Sequence, residues 1–365
     1  MNLSELNTGL IFESLFICFV ISILTALIST KLAIRAGLLD RPNSEPHKQH
    51  KHPIPLSGGT ALFSTLLIGS FIFRRYITPQ LWGLTGSAFI IYILALYDDY
   101  KNLNWRIKLS GQILGAVLLI LSGTQTHLFN ARLFSSWIPL QLCRIFDIGL
   151  TLFWVVFITN AYNLVDSADG VMIGLAAWAE GFFIIAAMDA GQHSIALLCS
   201  ILLGASLSLS FFNANPALLF MGDSGAQVLG FLLSAIAIIY NPAELLQRNT
   251  WFLPILMLGV PIFDTTLVTI SRWRKGQHFY HSGTDHTYHR LLKMGLSTHQ
   301  ASSFLHLICF TLQSLAFFAI SQSAIEANLL FAIVVIVGIG AIFFFEREDL
   351  WGIVTKLMKT NEHLS

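Results

Sequence analysis

Five aspartates, Asp98, Asp99, Asp166, Asp169 and Asp223, together with Arg272, Arg274, His286, His289 and Arg290, carry most of the chemistry this sequence can offer. Asp98 and Asp99 stand side by side in "ALYDDYKNLNWRIKL" (Ala95 to Leu109). Carboxylates this close are expected to share a cation or to raise one pKa. Magnesium suits such a place, because it takes hard oxygen ligands and keeps waters and substrate phosphates in its shell. Asp223, in "GDSGA", offers a further metal oxygen, and its flanking glycines let backbone approach a ligand. Lys108, shortly after the acidic pair, is a candidate substrate contact.

In "NAYNLVDSADG" the polar residues Asn160, Asn163, Asp166 and Asp169 recur at every third position. On one helix such spacing makes a fan of polar groups, and Asn amides carry the donors and acceptors that read a base or a sugar amide. A polar helix end is the plainer alternative. Phe220 is either an interfacial aromatic or a stacking surface for a base. "GDSGA" also mimics a serine protease nucleophile, a reading rejected because a triad needs a buried base and an oxyanion hole. In "DHTYHR", His286 and His289 could ligate zinc, but no glutamate stands between them as in H-E-x-x-H. Lipid headgroups and phosphate are the other partners, and phosphate is favoured, since Arg forks match its oxygens and His can donate or move a proton.

The elements that position these groups must lie in a membrane. Of 365 residues, 55% are hydrophobic and 11% charged, with mean hydropathy +0.68, against about 25% charged in a soluble domain. About eleven apolar runs are long enough to cross a bilayer: 11–30, 58–73, 81–97, 107–123, 148–165, 171–189, 193–212, 225–240, 250–271, 302–321 and 327–345. The expectation is therefore an all-α integral membrane protein of about 10–11 spans. Residues 1–346 form one polytopic domain in this reading, and 347–365 a short tail. The first run lacks a basic flank and a cleavage site and reads as a retained helix.

Most Lys and Arg fall on one set of loops, including Lys31, Arg35, Arg41, Lys48, Lys51, Lys101, Lys108, Arg272, Arg274, Arg290, Arg347 and Lys356. The positive-inside rule then places the N-terminus outside and the C-terminus in the cytoplasm. The acidic motifs gather on that same cytoplasmic face. A cation- or proton-coupled transporter is the alternative, but its acids would tend to sit near the midplane, and no internal repeat is visible. Of four cysteines, Cys18, Cys199 and Cys309 fall inside spans and Cys143 outside, with no disulfide framework or zinc spacing.

Six motifs in order carry a resemblance: H-x-x-P-x-P then G-G (His50 to Gly59), D-D-x-x-x-L (Asp98 to Leu103), N-x-x-N-x-x-D-x-x-D-G (Asn160 to Gly170), F-M-G-D-x-G (Phe220 to Gly225), V-P-I-F-D-T (Val260 to Thr265) and a basic loop ending H-x-x-H-R (His286 to Arg290). The chain resembles the polyprenyl-phosphate N-acetylhexosamine-1-phosphate transferases of glycosyltransferase family 4. It is most similar to the bacterial branch that loads N-acetylglucosamine phosphate onto undecaprenyl phosphate for O-antigen, common antigen or teichoic acid linkage.

The resemblance implies a multi-pass enzyme of the bacterial inner membrane with its active site at the cytoplasmic interface. Its substrates would be undecaprenyl phosphate and a UDP-N-acetylsugar, its cofactor Mg2+ with Mn2+ as a substitute; no nucleic acid is involved, and a homodimer is allowed. Asp223 matches the metal-binding Asp of the family, Asp98 and Asp99 its essential acidic pair, and Asn163, Asp166 and Phe220 its nucleotide pocket, with Lys51 a further candidate there. Arg272, Arg274, His286, His289 and Arg290 match the loop at the sugar diphosphate. Ser167, Val171, His47 and Ala226 depart from the usual Gly, Leu, Arg and Ser, which bears on sugar choice more than on reaction type.

Overall fold

The computed structural model describes residues 8–42, 52–129, 138–241, 251–278, 283–347, 349 and 351. The chain divides into two units, Met1–Ala243 and Glu244–Ser365. Lys51, and with it His47, lies outside the described residues.

The first unit is built from α1 (Thr8–Ala36), a two-residue antiparallel pair β1 (Leu39–Asp40) and β2 (Ile54–Pro55), α2 (Gly58–Ile72), α3 (Pro79–Lys101), α4 (Trp105–Leu121), α5 (Leu140–Val165), α6 (Val171–Asp189), α7 (His193–Asn213) and α8 (Gly222–Ile239). Small residues decide how these helices meet. The buried face of α1 carries Ser14, Cys18, Ser22, Ala26 and Ala33. Ser14 hydrogen-bonds Ser200 of α7 at 2.5 Å, and Ser22 donates to the Ala205 carbonyl at 3.3 Å. Its bulky residues, Phe12, Phe16, Leu24 and Ile28, are exposed. Such inversion is expected where lipid is the solvent and close backbone approach holds helices together. Helix α8 is central, buried along almost its whole length and packed on α2, α3 and α5.

The second unit contains α9 (Leu253–Met257), α10 (Gly259–Arg274), α11 (Thr287–Lys293), α12 (Thr298–Ile320) and α13 (Ala324–Glu346). Ser297 and Ser323 cap α12 and α13, each with a reciprocating Gln300 or Glu326.

Among the described residues eight helices are long and apolar enough to cross a membrane: α1, α3, α5, α6, α7, α8, α12 and α13. Three of the expected spans fall outside that set. The run 58–73 yields the 15-residue α2, and 107–123 the 17-residue α4. The run 250–271 is split at Leu258 into α9 and α10. Pro261 explains that break, because it has no N–H to give the Met257 carbonyl four residues back. Gln313 of α12 donates to that carbonyl instead, at 3.0 Å, so the broken ladder is repaired inside protein. Cys143 was expected outside the spans; it is buried within α5, which starts at Leu140 rather than near 148.

Candidate active site

Asp98 lies in the last turn of α3 with its carboxylate turned inward, 2% exposed. The chain reverses directly after it. Asn102 takes the left-handed conformation (φ 51°) that Asn tolerates better than most residues, and Leu103 N–H donates to Asp98 Oδ1 at 2.6 Å. Asn104 then caps α4 by accepting from Arg106 N–H at 3.1 Å. One turn into α4, Lys108 therefore comes back onto the acid. Its Nζ pairs with Asp98 Oδ2 and lies 2.8 Å from Asp223 Oδ2. Three helix ends thus converge on one ammonium.

Asp99 does something different from its neighbour. Its Oδ1 accepts from Asp223 N–H at 2.7 Å and its Oδ2 from Ser224 N–H at 3.1 Å, satisfying two of the orphan donors at the start of α8. Both acids of the adjacent pair thus meet Asp223, Asp98 through the shared Lys108 ammonium and Asp99 through the start of α8, by different routes because successive helix residues do not face the same way. Gly222 makes the contact feasible: it sits at φ 68°, and a Cβ there would lie 2.7 Å from Asp99 Oδ2.

Behind the charges runs an amide relay. Asn160 Nδ2 donates to Gln112 Oε1 at 2.6 Å, and Gln112 Nε2 donates to Asn160 Oδ1 at 3.2 Å and to Gln227 Oε1 at 3.1 Å. Gln227 Nε2 in turn faces Asp223 Oδ2 at 3.5 Å. The side chain of Asn160 thus supports Asp223 through two glutamines. Gln112 and Gln227 were missed in the sequence, although each stands one helical turn after a charged residue of the site, Lys108 and Asp223.

The three-residue polar series does not lie on one helix. Helix α5 ends at Val165, so Asn160 and Asn163 are helical while Asp166 is the C-cap and Asp169 lies beyond it. Asp and Ser compete for backbone hydrogen bonds and favour helix ends, and "DSADG" concentrates them. Asp169 accepts from Asn215 Nδ2 at 3.1 Å, and Gly170 N–H donates to Asn213 Oδ1 at 3.1 Å. Burial, then the charges of Asp223 and Asp169, push the Asp166 carboxyl up to about 7. Phe220, partly exposed, is fixed through its backbone: its N–H donates to the Pro55 carbonyl and its own carbonyl accepts from Gly58 N–H, both at 3.0 Å. A Cβ on Gly58 would fall 2.8 Å from Met221 Cα, which gives the G-G motif a packing reason.

The second unit holds its own polar cluster. His286 Nδ1 lies 2.8 Å from Asp264 Oδ2. Arg272, 2% exposed, grips Asp285 through Nε at 2.8 Å and Nη2 at 2.9 Å, and this pairing holds the Asp285 carboxyl below its ordinary range against the effect of burial. Arg290 donates through Nε to the Asp285 carbonyl at 2.8 Å, and through Nη1 to the Phe345 carbonyl at 2.6 Å and Glu346 Oε1 at 3.1 Å. Arg274 pairs with the other oxygen of Glu346 at 3.0 Å. The guanidiniums of Arg272 and Arg290 are thus engaged by protein. The imidazole of His289 stands 6.3 Å from that of His286, centroid to centroid. Asp264 was quoted only within V-P-I-F-D-T and Glu346 was not singled out; an acid inside the apolar run 250–271 was the available signal for the first, and nothing marked the second, which stands just past the run 327–345.

Among the described residues no three His, Cys, Asp or Glu side chains form a metal cage. A two-carboxylate site is present, however: Asp98 Oδ2 and Asp223 Oδ2 already share one cation, the Lys108 ammonium. That donor set fits magnesium, which is commonly held by one or two carboxylates with water and substrate phosphate completing the shell.

Residues 81–241, which include Asp98, Asp99, Lys108, Asn160, Asp166, Phe220 and Asp223, match the family model Glycosyl transferase family 4. A probable undecaprenyl-phosphate N-acetylglucosaminyl 1-phosphate transferase of Bacillus subtilis (strain 168) is 30% identical over 355 residues, covering 94% of this chain and 94% of the relative. An undecaprenyl-phosphate alpha-N-acetylglucosaminyl 1-phosphate transferase of Yersinia pestis is 27% identical, covering 82% of this chain and 80% of the relative. A phospho-N-acetylmuramoyl-pentapeptide-transferase of Lacticaseibacillus paracasei is 26% identical, covering 57% of this chain and 68% of the relative. Similarity that runs nearly end to end, and through the helices that bring Asp98, Lys108 and Asp223 together, makes the chain a member of glycosyl transferase family 4.

Proposed function

We propose that this membrane enzyme transfers N-acetylglucosamine 1-phosphate from UDP-N-acetylglucosamine to undecaprenyl phosphate, forming undecaprenyl-diphospho-N-acetylglucosamine and releasing UMP. The observation that carries the reading is the ammonium of Lys108 between Asp98 and Asp223 at the ends of three helices. That is a preorganised charge array suited to phosphoryl transfer, where positioning and electrostatics do most of the work. The relatives' names supply the substrates, and they lend the transporter alternative no support.

Asp98 and Asp223 would hold Mg2+, or Mn2+ in its place. The bound ion would supply charge neutralisation for the diphosphate. Asp99 keeps Asp223 at the head of α8 by accepting from its N–H, and Asn160 acts through Gln112 and Gln227. Lys108 offers its ammonium to the diphosphate oxygens. Asn163 and Phe220, both partly exposed, are assigned to the uridine, with Lys51 a further contact. An oxygen of the lipid phosphate attacks the β-phosphorus; the bond from that phosphorus to the bridging oxygen breaks, and UMP leaves with the electron pair. A phosphate monoester has a second pKa of about 6, so little base is needed. Asp166, whose carboxyl is pushed up to about 7, is assigned to the remaining proton, while Asp169 is steadied by Asn215. In the second unit, His286 and His289 are assigned to phosphate oxygens, Arg274 to the same chemistry, and Arg272 and Arg290 to holding the loop that bears them.

The domain is taken as 1–346 with a tail over 347–365. The orientation that fits the basic loops has the N-terminus outside and the C-terminus in the cytoplasm of a bacterial inner membrane, with about 10–11 crossings and a homodimer as the assembly. Purified protein supplied with undecaprenyl phosphate, Mg2+ and a panel of UDP-N-acetylsugars tests the reaction: UMP and a lipid diphosphosugar should form with UDP-N-acetylglucosamine. Release of UDP, or turnover only with another sugar, would overturn it.

A further inference from the structure

Asp264 is an acid within the second unit to which the reaction above gives no task. It lies on α10, 2% exposed, and both of its oxygens are used on consecutive residues. Oδ2 faces His286 Nδ1 at 2.8 Å, and Oδ1 accepts from Thr287 N–H at 2.6 Å. Two turns further along α10, Arg272 grips Asp285, the residue just before His286. One helix therefore holds the histidine from both sides, with an acid on the ring and a base on the preceding carboxylate.

An ionised carboxylate accepts hydrogen bonds and cannot donate them. The His286 nitrogen that faces it must carry the hydrogen, and Nε2 is left as the other ring nitrogen. In that arrangement Nε2 can take up a proton, and the resulting imidazolium is stabilised by Asp264. We infer that Asp264 is the positioning residue for His286, fixing its Nδ1–H form so that Nε2, once protonated, serves a phosphate oxygen of the nucleotide sugar as a charged donor. The inference rests on the reading that His286 acts on the substrate phosphates.

Asp264→Asn is a discriminating substitution because Thr287 N–H fixes which way the amide lies. The backbone donor requires the Asn oxygen, so the NH2 is turned toward His286 Nδ1. That ring nitrogen must then accept, which moves the hydrogen to Nε2 and excludes the imidazolium. Size, packing and the bond to Thr287 are all kept.

The test is a double-mutant cycle on the full-length protein in detergent, with UDP-N-acetylglucosamine, undecaprenyl phosphate and Mg2+, reading UMP release and the thermal midpoint. Asp264→Asn should lower kcat/KM by about 100-fold or more, within the range contributed by a positioned acid or base, with the midpoint unchanged. In a His286→Gln background the same substitution should cost less than about 3-fold, since the tautomer no longer matters. Equal losses in both backgrounds, or a loss that follows a lowered midpoint, would mean Asp264 only braces the loop and would overturn the inference. Asp264→Asn activity within about 3-fold of the parent would overturn it too. Failure of the parent protein to release UMP is a separate result, which strikes the proposed reaction before any variant is compared.

Discussion

Lys108 Nζ lies 2.8 Å from Asp223 Oδ2 across 115 residues of chain and pairs at the same time with Asp98. No neighbouring pair in the sequence announces this. It arises because α3, α4 and α8 end at one place, with Asn102 and Asn104 making the reversal between the first two. Lys108→Met should reduce turnover by about 100-fold, the usual cost of removing one preorganised charge from such a site. UMP release at saturating substrate reads this, and a variant within a few fold of the parent would remove Lys108 from the site.

Asp98 and Asp99 should separate by phenotype. Asp99→Ala strips the carboxylate from the head of α8 and should cost roughly 1–2 kcal/mol of stability, seen as a lower thermal midpoint in the absence of any substrate. Asp98→Asn keeps an acceptor for Leu103 N–H and should melt close to the parent while losing most activity. Near-normal turnover of Asp98→Asn at neutral pH would count against a catalytic role for that residue.

Asp166 gives a pH signature with a definite sign. Its folded pKa of about 7 exceeds the ordinary Asp value of about 3.9. Between those two values the folded state binds more protons than the unfolded one, so this group makes stability fall as pH rises from about 4 to about 7, and its effect is level above that. Asp166→Asn should therefore raise the thermal midpoint relative to the parent at pH 8 and lose that advantage near pH 4. Melting curves across the range check it; an advantage that grows toward acid pH would have the wrong sign.

How much of this was legible in the sequence differs residue by residue. Hydropathy located most of the long helices, and the residue types of Asp98, Asp223 and His286 singled them out before their partners were visible. That Asp98 and Asp99 reach Asp223 by different routes was not legible, because neighbours on a helix point different ways. Asn160 was read as a ligand contact, and its amide is engaged by Gln112, a residue missed in an apolar run where its turn spacing from Lys108 was the one available signal. The split at Leu258 was missed because hydropathy is blind to a missing N–H. Pro261 carried that signal, and Gln313 shows how the freed carbonyl is satisfied.

Arg290 and Glu346 make a largely buried ion pair, 5% and 8% exposed, that ties α11 to the end of α13. Arg290→Met leaves Glu346 with Arg274 alone and frees two backbone carbonyls. Breaking such a pair from one side costs about 3 kcal/mol or more, so the thermal midpoint should drop clearly. A variant that melts like the parent but binds UDP-N-acetylglucosamine weakly would instead assign Arg290 to substrate.

The most direct test of the central claim follows the β-phosphate itself. UDP-N-acetylglucosamine labelled with 32P at the β position is supplied to the purified enzyme with undecaprenyl phosphate and Mg2+, and the products are separated into lipid and nucleotide. Phosphosugar transfer moves the label into the lipid and leaves UMP unlabelled. Label retained in UDP, with an unlabelled sugar on the lipid, would mean attack at the sugar carbon and would contradict the mechanism.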